Sequence, residues 1–156
     1  MTDHYSSYGY FEDTSSELVP TACADRALGA AGQCLGFIWT PDDRSWVGVA
    51  LMSAPDNWIG PGLCIAEGAT KAVFRARGAN GGEVVGFNAA GEDMGSEITL
   101  SSSWQTFEID ISGVDYNALS SAGGVTIAFS IVLLRYSLED IDPKTIYVDD
   151  IRWVAE

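Results

Sequence analysis

The stretch KAVFRARGANGGEVVGFN (71–88) carries the clearest indication of secondary structure in this chain. Apolar residues at positions 72, 74 and 76 alternate with basic or β-branched residues at 71, 73, 75 and 77. An alternation with a period of two residues is typical of a β-strand that buries one face. The glycine-rich turn GANGG (78–82) interrupts the pattern, and a second apolar segment follows it. The stretch therefore predicts two strands joined by a hairpin, rather than a glycine loop that binds phosphate at the start of a helix.

The same period of two recurs through most of the chain and predicts eight strands with turn-rich connections. The predicted strands are Gln33–Trp39, Trp46–Ser53, Thr70–Arg77, Gly82–Asn88, Glu97–Leu100, Gln105–Ile111, Val125–Leu134 and Thr145–Val154. Eight strands of antiparallel character in 156 residues favour an all-β fold, a two-sheet antiparallel β-sandwich of jelly-roll type. We expect residues 11–156 to form this single domain, preceded by a flexible segment at 1–10.

The strand that starts at Trp46 shows how such a sandwich separates its two faces. Its alternation directs Val47, Val49 and Leu51 toward the core. Trp46 falls on the opposite face, where positions 48 and 50 carry only glycine and alanine. A large ring beside such small residues leaves open space over the sheet, so we expect the ring of Trp46 to be partly exposed.

The chain is strongly acidic, and its charge excludes several classes of partner. It has 8 Lys and Arg residues against 22 Asp and Glu residues, a formal charge of −14. Such a surface repels phosphate, which argues against nucleic acids and anionic membranes as partners. A hydrophobic content of 47% supplies a core and argues against disorder. No apolar run reaches the roughly 20 residues that span a bilayer, so we expect no membrane insertion.

The N-terminus and the cysteines bear on the cellular compartment. The segment MTDHYSSYGY (1–10) lacks the basic and apolar regions of a signal peptide, so we expect no leader in this sequence. Met1 is either the natural start or follows a leader that was removed. Cys23 and Cys34 form a disulfide if the compartment is oxidising. In the alternative, both are reduced and, like Cys64, serve as small apolar residues.

Three segments of the chain resemble a known group of domains. They are GATKAVFRARGANGGEVVGF (68–87), ITLSSSWQTFEIDISGVD (98–115) and TIYVDDIRW (145–153). In this order they resemble the bacterial galactose-binding-like jelly rolls, a group that includes many carbohydrate-binding modules. The resemblance extends from about Phe11 to Trp153, and it implies a β-sandwich that binds a glycan without changing it. Related sequences often have a tryptophan at the position of Arg75.

Aromatic and polar residues are the candidates for a glycan site. Sugar-binding clefts use flat rings against the apolar faces of pyranoses, and polar side chains for the hydroxyl groups. Trp46 is the first candidate for such a ring. The other candidates are the rings of Trp39, Trp58 and Tyr136, with Arg75 and Arg77 as donors from a neighbouring strand. In the alternative, these tryptophans pack in the core or at its rim.

The resemblance also implies a structural calcium ion that ties the first strand to the last. The matching positions here are Glu12 and either Asp149 or Asp150. Adjacent carboxylates in an aliphatic strand are costly to bury unless they are paired or bind a metal, and Ca²⁺ prefers oxygen ligands. The alternatives are solvated carboxylates, or an ion pair with Arg152 or Arg135.

No catalytic motif accompanies these candidates. The sequence has no nucleophile elbow, no Walker A loop and no HExxH motif, and we interpret Glu108 and Asp110 as a solvated pair. We therefore expect a non-catalytic, calcium-stabilised domain that binds a polysaccharide or other glycan. We expect it in an extracellular or bacterial cell-surface protein, where the parent is an enzyme or a surface protein. The competing hypothesis is a structural or adhesive module that self-associates or packs against a partner without binding sugar.

Overall fold

The protein is an all-β molecule, as the sequence predicts. The structure is a computed structural model, and it describes residues 7–11, 16–30, 33–54, 60–63, 68–90, 92–93, 97–116, 123–137 and 139–155. The strands are β1 (Ser7–Phe11), β2 (Ser16–Thr21), β3 (Cys34–Trp39), β4 (Trp46–Met52), β5 (Lys71–Gly78), β6 (Val84–Ala89), β7 (Glu92–Asp93), β8 (Ile98–Thr99), β9 (Gln105–Asp110), β10 (Ile127–Leu134) and β11 (Lys144–Val154). Within these ranges, there is no helix long and apolar enough to cross a membrane.

The strands form two sheets that pack face to face. Sheet A has the order β1-β4-β10-β6-β7, with β8 also paired to β6, and sheet B has the order β2-β3-β11-β5-β9. The pairs between neighbouring strands are antiparallel. The predicted two-sheet antiparallel β-sandwich is therefore confirmed. The face of each sheet that points away from the core is called its outer face below.

The domain begins earlier than the sequence indicates. All eight predicted strands are present, but β1, β2 and β7 are additional. The strand β1 starts at Ser7 and pairs with β4 as far as Phe11 opposite Gly48. The boundary predicted for the flexible segment, residue 10, is therefore wrong, because residues 7–10 belong to sheet A. Residues 1–6 lie outside the described part of the chain.

The GANGG turn also differs from its prediction, because it does not close a hairpin. The strand β5 before the turn belongs to sheet B, and β6 after it belongs to sheet A. Gly81 and Gly82 adopt positive φ angles of 85° and 98°, which other residues rarely tolerate. The Glu83 carboxylate accepts a hydrogen bond from the Asn80 backbone N–H at 3.0 Å. The turn therefore carries the chain across the end of the sandwich, so that both apolar strand faces reach the same core.

Phenylalanine side chains at the centre of the core join the two sheets. Phe74 of β5 lies edge-on to Phe87 of β6 and Phe129 of β10, with ring centroids 4.6 and 4.9 Å apart. Such pairs contribute about 0.5–1.5 kcal/mol each beyond the area they bury. The other large side chains that are fully buried are Phe37, Trp39, Met52, Leu100, Ile109, Ile111, Ile131, Leu133 and Ile146.

A loop closed by a disulfide packs against the outer face of sheet B. Cys23 and Cys34 are bonded, with an S–S distance of 2.04 Å, which confirms the disulfide alternative. Cys64 lies outside the described residues. Within the loop, Arg26 donates from Nε to Oδ2 of Asp149 at 2.7 Å and from Nη2 to Oδ1 at 2.8 Å. The Asp149 side chain is 1% exposed, and its hydrogen bonds raise the pKa of Arg26 above the usual value.

Truncation of the central ring tests the packing of the two sheets. We expect Phe74→Ala to lower the free energy of unfolding by about 3–5 kcal/mol, because a cavity opens between the sheets. Phe74→Leu keeps most of the volume and should cost less. Urea denaturation of both variants measures the difference, and a loss below about 1 kcal/mol for Phe74→Ala would contradict this packing.

Removal of Arg26 tests the anchoring of the disulfide loop. We expect Arg26→Ala to destabilise the domain by about 3 kcal/mol, because it leaves the buried Asp149 carboxylate without its partner. The matched control is Arg152→Ala, since Arg152 forms an exposed pair with Asp150 at 3.3 Å and should contribute at most about 1 kcal/mol. Equal effects of the two substitutions in urea denaturation would show that the buried pair has no special role.

Candidate functional site

The outer face of sheet A carries the exposed ring that the sequence predicts. Val47, Val49 and Leu51 belong to the core, as the alternation in β4 requires. Trp46, the first residue of β4, lies on the other face and is 37% exposed. Its expected partial exposure is confirmed, and its role in binding a sugar stays a prediction.

Only part of this face is accessible. Gly48, Ala50 and Met52 also point away from the core, yet they are buried. Exposure of the outer face increases from β4 across the neighbouring strands β10 and β6. Together with Trp46 of β4, the accessible residues of these two strands form what we call the open strip. The open strip consists of Trp46, Val132, Leu134, Val84, Gly86 and Asn88.

At one position the floor of the open strip is backbone rather than side chain. Gly86 lies in the middle of β6, opposite Val132, and has no positive φ angle that would require glycine. A Cβ atom built at Gly86 would have one neighbour within 4 Å, the Cβ of Val132 at 3.9 Å. Glycine inside a strand weakens the strand and often marks a close approach of a ligand or another backbone. A flat molecule can therefore lie directly over β6 at this position.

Polar groups lie at both ends of the open strip. At one end, Asn88 donates from Nδ2 to Oγ of Ser130 at 3.3 Å. At the other end, just after β10, Tyr136 is 73% exposed and donates its hydroxyl proton to Glu97. This hydrogen bond raises the pKa of Tyr136 above its usual value. An apolar strip between an amide and a carboxylate can offer both ring contacts and hydrogen bonds.

Arg135 fixes the loops beside Trp46. Its backbone N–H continues the sheet beyond β10 by donating to the Ser45 carbonyl at 2.9 Å. Its guanidinium donates to the carbonyl oxygens of Arg44 at 2.6 Å and Asp140 at 3.2 Å, and also to that of Asp42. The β3–β4 and β10–β11 loops are thereby held together at the end of the sheet that carries Trp46 and Tyr136.

Two of the predicted rings do not contribute to this face. Trp39 is fully buried in the core cluster, so its assignment as a sugar platform is wrong. Its alternation in β3 places it on the inner face, next to the Arg135 guanidinium at 6.0 Å from the ring centroid. Trp58 lies outside the described residues, so its assignment stays a prediction.

Arg75 and Arg77 do not approach Trp46. Both lie on the outer face of sheet B, whereas Trp46 belongs to sheet A, so the expected grouping of these residues is wrong. The guanidinium carbons of both arginines lie 5.4 Å from the ring centroid of Trp104. The error arises because alternation assigns a residue to a strand face, but it does not say which sheet the strand joins.

The two predicted metal ligands that the structure describes, Asp149 and Asp150, are both paired with arginines. Both oxygens of Asp149 accept hydrogen bonds from Arg26, and Asp150 pairs with Arg152. Within the described ranges, no group of three His, Cys, Asp or Glu residues could hold a metal ion. Glu12 lies outside those ranges. The described side chains around Asp149 therefore do not fit a calcium site, and the binding of a calcium ion by this domain stays a prediction.

Some residues of the open strip could have been placed on the outer face from the sequence alone, and others could not. Val84, Gly86 and Asn88 alternate with the core residues Val85 and Phe87, so the period of two places them on the outer face. The pairing of Tyr136 with Glu97 has no such signal, because the two residues are 39 positions apart and meet only through the order of strands.

Comparisons with known proteins identify the type of fold. No protein-family model matches the chain. No curated protein matches it. Among solved structures it is similar to the family 11 carbohydrate-binding module from Clostridium thermocellum in complex with a β-1,3-1,4-mixed-linked tetrasaccharide. The TM-score is 0.56 and the sequence identity 14%, over 99% of this chain and 92% of that chain.

Two further structures support the same conclusion. A family 30 carbohydrate-binding module has a TM-score of 0.53 and 18% identity, over 96% of this chain and 92% of that chain. The β-1,2-glucanase from Parabacteroides distasonis has a TM-score of 0.54 and 13% identity, over 97% of this chain and 23% of the glucanase. The fold is therefore a β-sandwich of the carbohydrate-binding-module type.

Proposed function

We propose that this domain binds a glycan, without chemical change, across the open strip on the outer face of sheet A. The observation that carries the proposal is the exposed ring of Trp46 on the same outer face as the bare backbone at Gly86, which lies two strands away on β6. A pyranose has apolar faces that pack on aromatic and aliphatic groups, and a rim of hydroxyls that exchange hydrogen bonds. The similarity in fold to carbohydrate-binding modules supports this assignment.

The strip can supply both kinds of contact. Trp46 and Leu134 are register partners on adjacent strands, so the ring has an aliphatic neighbour. Asn88 offers an amide at the far end, and Glu97 offers a carboxylate beside Tyr136 at the near end. A sugar chain that follows β10 and β6 would contact the apolar groups with its ring faces and these polar groups with its hydroxyls.

The carboxylates also favour binding over catalysis. A glycosidase needs one carboxylic acid that stays protonated, which requires a raised pKa. Hydrogen bonds from Ser112 lower the pKa of Asp110 instead, and Glu108 pairs with Lys71 at 3.4 Å. Both carboxylates lie on sheet B, away from the open strip. We therefore propose a non-catalytic domain.

The disulfide and the likeness to part of a larger chain support a proposal on location and parentage. The Cys23–Cys34 bond suits an oxidising compartment, which supports an extracellular or cell-surface location. The part of the β-1,2-glucanase that matches this chain makes up 23% of the glucanase. We propose that this domain serves a parent enzyme or surface protein by holding it on a polysaccharide.

Truncation of the exposed ring tests the proposed site. We expect Trp46→Ala to weaken glycan binding by about 30-fold, because loss of an aromatic anchor at the centre of a contact costs about 2 kcal/mol or more. Stability should fall by less than the 3–5 kcal/mol that a fully buried aromatic costs. Affinity gels with a panel of neutral soluble polysaccharides, beginning with β-1,3-1,4-mixed-linked glucan, measure the first effect. Urea denaturation measures the second.

A matched variant controls for general damage. Trp104→Phe alters a tryptophan that packs on the outer face of sheet B and should leave binding to neutral polysaccharides unchanged. If no polysaccharide in the panel binds, or if Trp46→Ala binds as well as the parent protein, the proposed site is wrong. A sedimentation coefficient that rises with concentration would then favour the adhesive alternative.

A further inference from the structure

The outer face of sheet B contains a second cluster that the proposed glycan site does not use. Arg75 and Arg77 of β5 both lie against the Trp104 ring, each with its guanidinium carbon 5.4 Å from the ring centroid. The guanidinium of Arg77 also lies 4.2 Å from the ring centroid of Tyr147 on β11. Two cations and two rings thus form one continuous stack across β5, which we call the arginine stack.

The arginine stack lacks the carboxylates that its neighbours have. The other cations of this face are paired, Arg26 with Asp149, Lys71 with Glu108, and Arg152 with Asp150. Neither Arg75 nor Arg77 contacts a carboxylate among the described residues, although the chain has 22 acidic residues against 8 basic ones. Asp149 lies opposite Arg75 on β11, but both of its carboxylate oxygens already accept hydrogen bonds from Arg26.

The two guanidinium groups are also partly desolvated. Arg75 and Arg77 are half-buried, and Nη1 of Arg75 is covered without an acceptor in the described part of the protein. A cation that has lost hydration and has no counterion gains more from an incoming anion than a fully hydrated cation does. Arginine is also less strongly hydrated than lysine, and its planar fork matches a carboxylate.

The stack is held in place before any ligand arrives. The Trp104 indole N–H donates to the Ala24 carbonyl at 3.0 Å, and Ala24 belongs to the loop that the Cys23–Cys34 disulfide closes. Arg77 donates from Nη1 to the Gly78 carbonyl at 3.2 Å. A ligand therefore meets side chains that are already ordered, which reduces the entropy lost on binding.

From this geometry we infer that the arginine stack binds the carboxylate of an acidic saccharide, one that contains uronic acid residues. Arg75 and Arg77 lie two residues apart on one strand face, about 7 Å between Cα atoms, so both guanidinium groups can reach one planar carboxylate. Thr106 lies opposite Arg75 and Tyr147 opposite Arg77, and both carry hydroxyl groups. A uronate offers a carboxylate next to ring hydroxyls, which matches this set of donors and acceptors.

This site lies on the sheet opposite the open strip, so the two proposals can fail separately. The negative charges elsewhere on the molecule are largely screened at physiological ionic strength, where the Debye length is about 8 Å. Binding at the arginine stack should therefore persist at 0.15 M salt and weaken as salt increases.

Isothermal titration with trigalacturonate and its methyl ester tests the inference. The ester keeps the hydroxyl groups and removes the charge, so we expect it to bind at least about tenfold more weakly than the acid. Arg75→Gln and Arg77→Gln should each reduce affinity for the acid by about tenfold or more. Arg152→Gln removes one charge from the same face and should change affinity less than about twofold. Trp46→Ala should bind the acid as the parent protein does.

Several results would overturn the inference. These are no binding of trigalacturonate, equal binding of acid and ester, or an equal loss in the Arg152→Gln control. Equal binding of oligoglutamate would show that carboxylates bind here without saccharide recognition, and would also overturn it. If a glutamine variant melts well below the parent protein, Arg75→Lys and Arg77→Lys replace it, since they keep the charge and remove only the planar fork.

Discussion

The ring of Phe74 packs edge-on against Phe87 and Phe129 at the centre of the core. It joins a strand of sheet B to two strands of sheet A, and the GANGG crossing brings those strands to the same core. Because each strand buries one face there, its alternate residues must lie on an outer face. The sandwich therefore presents two separate surfaces, with Trp46 on one and the arginine stack on the other.

Arginines stabilise the loops at the edges of both surfaces. Arg135 donates hydrogen bonds to three backbone carbonyl oxygens beside Trp46. Arg26 pairs with the buried Asp149 carboxylate beneath the disulfide loop. A guanidinium has five donors in a fixed plane, so a single side chain can satisfy several acceptors that the sheet leaves unpaired. In this acidic chain, these cations hold loops in position rather than serving only as surface charge.

The sequence predicted what depends on local periodicity and failed where the order of strands decides. The faces of β4 and the exposure of Trp46 follow from an alternation that can be read directly. The grouping of Trp46 with Arg75 failed because the period of two is identical for strands of either sheet. Trp39 was misassigned although it lies two residues from Phe37 in β3, so the period of two already placed both rings on one face, and that face is the core. The partnership of Asp149 with Arg26 joins residues 123 positions apart and has no local signal.

Binding of a glycan over β10 and β6 at Trp46 can be observed residue by residue in a ¹⁵N–¹H NMR titration with the β-1,3-1,4-mixed-linked glucan tetrasaccharide. We expect shifts of the Trp46 indole signal and of the Gly86 and Asn88 backbone amides, while the Trp104 indole signal stays fixed. Shifts confined to the Trp104 indole and sheet B, with the Trp46 signal unchanged, would show that the glycan does not bind at Trp46.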